Sequence, residues 1–473
     1  MKSKKILVLA LAAIMLLGML AACGSPAEPT PAATEQPAAT TAPPPAPTPE
    51  PNTPDPGLEG LSGEITVWDI WPNPDDTNSR AYVKAIADFE AAYPGVTIKR
   101  EPYENQQYKE TVFPTAAAAN LLPDVFFGWG PAFARDLVAK GALEPLDSYL
   151  DTSYMSTVQS GSLDNFTFDG KVYGLTMYNW AAVFYCNQKM FDDNGIKVPA
   201  TYDELMDAIA AFNDKGIVPI ALPASDAWTV AFFQHILAIR FCGANDVNAM
   251  LRGEKSFNDP KIVQSAQGLL DLAAAGAFDK DCLASDYGIA QTLFCMGEIP
   301  MYYMGDWMVG SITGYMPDAD GNETTDYYPA KDDVIAVNFP ATGNGFDDQI
   351  LGGATDGFMV NAASPNKEAA VEFVKFITAA VPEYGYQIAG AISTRSNFDP
   401  SKYSANLPSL TVQIADYASK STGATLAWDT FLPDAPKDKM LDMLQQLVGQ
   451  RLTAEEFAAN MAKAMEDGGF TSY

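Results

Sequence analysis

Tryptophans are the side chains here whose types and settings point most directly to a chemistry, and that chemistry is stacking. The seven are Trp68, Trp71, Trp129, Trp180, Trp228, Trp307 and Trp428. Trp129 sits between Gly128 and Gly130, Trp180 follows Met177-Tyr178-Asn179, Trp228 follows Ser225-Asp226-Ala227, and Trp307 follows Gly305-Asp306. Trp428 is flanked by polar and small residues, and none of the seven falls in a clear helix-face pattern. Indole faces stack on the C–H faces of pyranose rings, while nearby carboxylates and amides take the hydroxyl edges. The plainer reading of any single tryptophan is a gap-filler between domains, or for Trp68 a core residue.

Other chemistries find little support. His235 is the single histidine and lies in an apolar, helix-like stretch, which excludes HExxH and every multi-histidine metal site. A Ser-His-Asp triad would need His235, yet there is no GxSxG elbow; there is also no Walker A loop, and Gly343-Asn344-Gly345 completes no GxGxxG motif. Asp318, Asp320, Asn322 and Asp326 lack the glycine and glutamate of an EF-hand loop. Four cysteines follow Cys23: Cys186, Cys242, Cys282 and Cys295. Their pairing stays open between none and two bridges, with Cys186 read as a buried thiol and Cys242–Cys282 as the favoured bridge. No catalytic residue, metal or cofactor is expected.

Whether read as a lipoprotein signal, an ordinary secretory signal or an uncleaved anchor, the N-terminal segment places the rest of the chain outside the cytoplasm. Lys2, Lys4 and Lys5 precede an apolar run of 15 residues (6–20), too short to span a bilayer comfortably. Leu20-Ala21-Ala22-Cys23-Gly24 then looks like a lipobox, with the Cys23 thiol as the lipid carrier. Residues 24–61 hold 12 prolines, five acids and no base. Such a stretch cannot form a core and favours extended polyproline II, a semi-rigid tether. The expected place is the outer face of a cell membrane, held by lipid.

The remaining body is larger than one core usually serves, so two domains are expected. The net charge of -30 argues against nucleic acid or an anionic membrane surface as partner. Strand and helix signals alternate. Tyr82, Ile86, Phe89 and Tyr93 repeat at helical spacing; Thr201 with Glu204 and Thr453 with Glu456 form capping boxes; Ser364-Pro365 has the chemistry of a helix start. Residues 64–68, 96–99, 125–127 and 217–222 read as strands. This rhythm predicts an α/β fold with largely parallel sheets and a ligand crevice beyond the strands' carboxyl ends.

Several segments together resemble the extracellular solute-binding proteins of family 1, the maltose-binding-protein-like sugar-binding lipoproteins of ABC importers. These are Phe89 to Val96; Pro123-Asp124-Val125-Phe126; Asp169-Gly170-Lys171-Val172-Tyr173-Gly174-Leu175, with Thr176 where proline is usual; residues 297–307, ending Gly305-Asp306-Trp307; and Gly352-Gly353 through Ala370. The matches run in family order from about residue 64 to 465.

The resemblance implies an α/β, two-lobe periplasmic-binding-protein-like (type II) fold, with hinge-crossing strands and a cleft between lobes. It implies a signal peptide over 1–22, the lipidated Cys23 and tether over 23–61, one lobe from 62–180 with 340–392, and another from 181–339 with 393–473. Crossings are expected near 178–183, 334–340 and 391–395. The implied ligand-binding residues are Trp307, Asp306 and Trp428, with Trp71, Trp129, Trp180, Trp228, Asp356 and Arg395 as further candidates. The implied partners are a sugar or oligosaccharide and the permease subunits of an ABC transporter, with the chain itself a monomer. Two other classes stay open: a binder of a polyamine or ferric ion on the same fold, and a surface glycoside hydrolase using two of the 59 acids.

Overall fold

The computed structural model describes residues 60–74, 76–314, 327–389, 391–402 and 407–468, all within one compact unit. The signal segment, Cys23, most of the tether and the 318–326 loop lie outside the described residues.

Twelve strands are present among the described residues: β1 (Gly63–Asp69), β2 (Val96–Pro102), β3 (Val125–Trp129), β4 (Thr167–Phe168), β5 (Lys171–Val172), β6 (Gly174–Asn187), β7 (Ile220–Ala221), β8 (Met301–Gly305), β9 (Val334–Val337), β10 (Ile350–Val360), β11 (Ile392–Ser393) and β12 (Ala424–Thr425). Ten of them join one sheet in the order β2-β1-β3-β10-β6-β8-β7, with β9 and β11 on β6 and β12 on β10. The alternating rhythm predicted a largely parallel arrangement, and the structure corrects this. β1 runs parallel to β2 and β3, but β10 is antiparallel to β3 and β6, and β6 is antiparallel to β8 and β9. Helical crossovers, the signal that the sequence carries, set the parallel neighbours. The antiparallel joins come from long strands with distant partners, which local spacing does not reveal.

β6 is the spine of the molecule. Up to Ala181 it pairs with β10; from Ala182 onward it pairs with β8 and β9. Its burial along nearly the whole length follows from its run of apolar residues, Ala181 to Cys186. β10 bends beside this switch, with register shifts between Gly353 and Asp356 and again at Gly357. Glycine is required there, because a Cβ on Gly352 would stand 2.2 Å from the Trp180 carbonyl oxygen and Gly353 has φ +141. The sheet therefore has two halves joined at Ala181–Ala182 and Gly352–Gly353.

Helices cover the sheet as the spacing predicts. Thr77–Ala92 is capped by Asp76, which accepts from the amides of Asn78 and Ser79, and it buries Tyr82, Ala85 and Phe89. Phe89 meets Phe373 and Phe376 of the long helix Lys367–Ala389 at 5.1 and 5.4 Å. Both predicted capping boxes form, at Tyr202–Asn213 and Ala454–Asp467, each contributing about 1 kcal/mol. Ser364 does not start its helix directly: its hydroxyl donates to Asp124 and accepts the Asn366 amide, and the helix begins at Lys367. The 217–222 strand is only Ile220–Ala221. The favoured Cys242–Cys282 bridge is absent, since Cys186, Cys242, Cys282 and Cys295 are all free and buried. Burial pushes the Cys282 thiol up to about 11 and the Cys242 and Cys295 thiols to about 12, so they are inert packing groups.

Candidate functional site

A cavity of about 240 Å³ lies beside the strand switch. Trp71, Trp129, Trp180, Trp228, Trp307 and Asp356 all line it. Two aromatic walls result. On one, Trp180 stacks on Phe232 at 5.4 Å, Trp307 lies 5.7 Å from Trp180, and Trp228 lies 5.7 Å from Tyr287. On the other, Phe127 holds both Trp71 (5.2 Å) and Trp129 (4.9 Å) edge-on.

Polar contacts fix these rings. Trp180 Nε1 donates to Thr355 Oγ1 (2.7 Å), whose hydroxyl donates to Asp356 Oδ1 (2.8 Å). Trp307 Nε1 donates to the Tyr287 hydroxyl at 3.1 Å. The Trp71 loop is clamped by Arg100, which donates to both oxygens of Asp69 and to the Trp71 carbonyl. Such a bidentate pair is rigid as well as strong. Rings held this way lose little freedom when a ligand stacks on them.

Three of the candidates do not face the cavity. Trp428 is 0% exposed and stacks on His235 at 4.5 Å, with Phe257 at 5.2 Å, so its ring belongs to the core. His235 is buried beside it, and desolvation lowers its pKa to about 3, so it is neutral. Asp306 is buried beside the strand switch, and its Oδ2 has no hydrogen-bond partner among the described residues. Burial first, and then the charge of Asp356, push its carboxyl well above the usual range. Arg395 turns away: it donates to the hydroxyls of Tyr154, Thr378 and Thr157 and covers the Tyr154 ring at 4.4 Å, tying helix Thr152–Ser156 to helix Lys367–Ala389.

The structure adds residues that sequence reading passed over. Tyr178 pairs across the sheet with Asp356 and lines the cavity. Asp76, Glu104 and Asp226 line it too, each accepting backbone N–H bonds: Asp76 from Asn78 and Ser79, Glu104 from Gln106 and Gln107, and Asp226 from Tyr287. Lys109 projects from a π-helical turn, Tyr108–Val112, and pairs with Asp429 at 2.7 Å. A π turn re-aims side chains relative to an α-helix, and no sequence signal marks it. Asp429 was visible only as the neighbour of Trp428. Burial pushes Asp356 up to about 6, against the pull of Thr355, Tyr178 and Lys109. Burial also acts on Asp429, but Lys109 outweighs it and holds that carboxyl below its ordinary value. The arrangement can stack rings and accept hydrogen bonds from a bound molecule.

Comparison with known proteins agrees with this architecture. A solved structure from work on xylan utilization by the thermophilic bacterium Caldanaerobius polysaccharolyticus is 30% identical, with a TM-score of 0.77, covering 85% of this chain and 99% of that one. A chitin oligosaccharide binding protein is 26% identical, with a TM-score of 0.76, covering 86% and 98%. An uncharacterized ABC transporter extracellular-binding protein of Pyrococcus horikoshii is 26% identical over 237 residues, 49% of this chain. The match spans about half of that relative, 54% of its length. Residues 73–382 match the family model of the bacterial extracellular solute-binding proteins, and with the two-lobe fold built on β6 and β10 the chain belongs to that family.

Proposed function

We propose that this chain captures a carbohydrate, an oligosaccharide, by closing two lobes around it, and delivers it to the permease subunits of an ABC importer. In this reading Cys23 carries the lipid that holds the chain at the outer face of the membrane. It acts as a monomer and performs no covalent chemistry. The observation that carries the reading is the presence of two aromatic groups with carboxylates in one cavity: Trp71 and Trp129 line it together with Trp180, Trp228 and Trp307. Sugar rings need apolar faces and hydroxyl acceptors together.

The lobe limits proposed are 62–180 with the return segment, and 181–339 with the C-terminal segment. The partner change of β6 at Ala181–Ala182 supports the first boundary. We place the return crossing at Gly352–Gly353, beyond residue 340, because Ile350 and Leu351 still pair with β12. A ligand that completes both walls only when the lobes close would shift an open–closed equilibrium.

The test is a thermal-shift screen of residues 62–473 against mono- and oligosaccharides, with spermidine and putrescine included. A ligand bound only by the folded state at 100 times its Kd adds about 2.7 kcal/mol, which is readily seen. A shift with one sugar class supports the reading. A shift with polyamines alone, or release of sugar from an oligosaccharide, overturns it.

A further inference from the structure

We infer that the cavity selects sugars by charge, admitting neutral and amine-bearing units and rejecting uronates. This inference rests on the carbohydrate reading and narrows it.

Five carboxylates line the cavity (Asp76, Glu104, Asp226, Asp356 and Asp429) against one ammonium, that of Lys109. Lys109 pairs with Asp429 and also acts on Asp356, so one positive charge stands against five negative ones. The other four carboxylates are held by neutral donors: backbone amides for Asp76, Glu104 and Asp226, and hydroxyls for Asp356. Neutral donors fix a carboxylate in place without cancelling its charge. The other cation close to this wall, Arg100, is paired with Asp69 and does not line the cavity, and its charge acts on Asp76 from behind the wall. The acids also feel one another. The Asp226 carboxyl is raised by burial, and then by the charges of Asp286, Glu104 and Glu110, despite the Tyr287 amide.

Asp429 supplies an independent sign. Its side chain is 3% exposed, and Oδ1 has no hydrogen-bond partner among the described residues. A buried carboxylate oxygen on a cavity wall is unfavourable until a donor reaches it. A sugar hydroxyl supplies one donor, and a protonated amine supplies three. A uronate brings acceptors and a like charge into a low-dielectric space, where repulsion between unit charges is far stronger than in water.

The experiment compares matched probes by calorimetric titration at low salt: xylotetraose with glucuronosyl-xylotetraose, cellotetraose with its C6-carboxylate form, and chitotetraose with its deacetylated tetramer. In whichever of the first two pairs binds, the uronate should bind about tenfold or more weakly than its neutral partner, one unit charge against a cavity with excess carboxylates. The deacetylated tetramer should bind at least as tightly as chitotetraose. The uronate penalty should shrink in 0.5 M salt and in the Asp226→Asn/Glu104→Gln double variant, which removes two charges and keeps one acceptor oxygen at each position, at the loss of one of the two cap bonds of Glu104. A uronate that binds as tightly as its neutral partner at low salt overturns the charge selection and leaves the carbohydrate reading intact. Silence from every oligosaccharide overturns both.

Discussion

Lys109 Nζ stands 2.7 Å from Asp429 Oδ2, with both side chains largely buried, and so joins a π turn near the first strands to a short helix close to the C-terminal end of the chain. The Lys109 ammonium also lies 5.4 Å from the centre of the Trp129 ring. Removing one partner of a buried pair leaves the other charge unsolvated, which costs far more than the pair itself is worth.

Lys109→Met should therefore lower unfolding stability by about 3 kcal/mol, through the stranded Asp429 carboxylate. The double variant Lys109→Met/Asp429→Leu should recover most of that loss. Urea denaturation of both variants checks this, and equal destabilisation in the two would sink it.

Trp307 and Trp428 should separate affinity from stability. Trp307 is partly exposed at the cavity, so Trp307→Ala should weaken binding of the best oligosaccharide by about 2 kcal/mol, as a stacking anchor does. Trp428 is a core ring against His235, so Trp428→Ala should cost about 3–5 kcal/mol of stability. Calorimetric titration and melting curves on both variants distinguish the cases. Unchanged affinity in the first removes Trp307 from the site.

Those two tryptophans also mark how far the site is legible in the amino-acid order. Tryptophan beside aspartate signals a polar aromatic locus, and both loci lie near the cavity. Which of the two neighbours faces inward depends on backbone direction, because adjacent residues point different ways. At 306–307 the indole lines the cavity and the carboxylate is buried behind it; at 428–429 the reverse holds. Lys109 was invisible because a π turn leaves no mark in spacing. Arg395 is bonded outside the cavity by Tyr154 and Thr378, which only the folded chain brings to it. The helices, by contrast, follow from caps and apolar faces, which are local properties. The antiparallel joins of β6 depend on partners more than a hundred residues away.

Asp356 should make stability fall as pH rises through its own titration. Its folded pKa of about 6 lies above its ordinary 3.8, so near pH 5 the folded state keeps a proton that the unfolded chain has released. The contribution is full below about pH 4 and lost above about pH 6, with an upper limit of about 3 kcal/mol. Asp306 shifts in the same direction, from burial first and then from the charge of Asp356. Other carboxylates contribute slopes of both signs, Asp226 like Asp356 and Asp429 opposite to it, and the difference between variant and wild type separates this one. Asp356→Asn should be nearly neutral at pH 4 and increasingly stabilising towards pH 7. A variant-minus-wild-type difference that stays flat across that range refutes the assignment.

Gly310 should be a closure contact. It lies in the helix Met308–Thr313, where a Cβ would stand 2.0 Å from Thr77 Oγ1 and 3.0 Å from Thr77 Cβ. In an exposed helix, Gly→Ala stabilises by about 1 kcal/mol, so a glycine here runs against helix propensity. The close approach accounts for it: Thr77 opens a helix of the first lobe, and Gly310 lies in the second under the proposed division. Gly310→Ala should wedge the lobes apart, at an overpacking cost of about 1–3 kcal/mol. That corresponds to roughly 5- to 150-fold weaker oligosaccharide binding, with a larger radius of gyration in the presence of sugar. Adding Thr77→Ala removes the 2.0 Å clash and leaves only the 3.0 Å approach, so affinity should return in large part. The unliganded single variant should melt at or above the wild-type temperature if the contact forms only on closure. A Gly310→Ala protein that binds as tightly as wild type would show that the two helices part without consequence for the site.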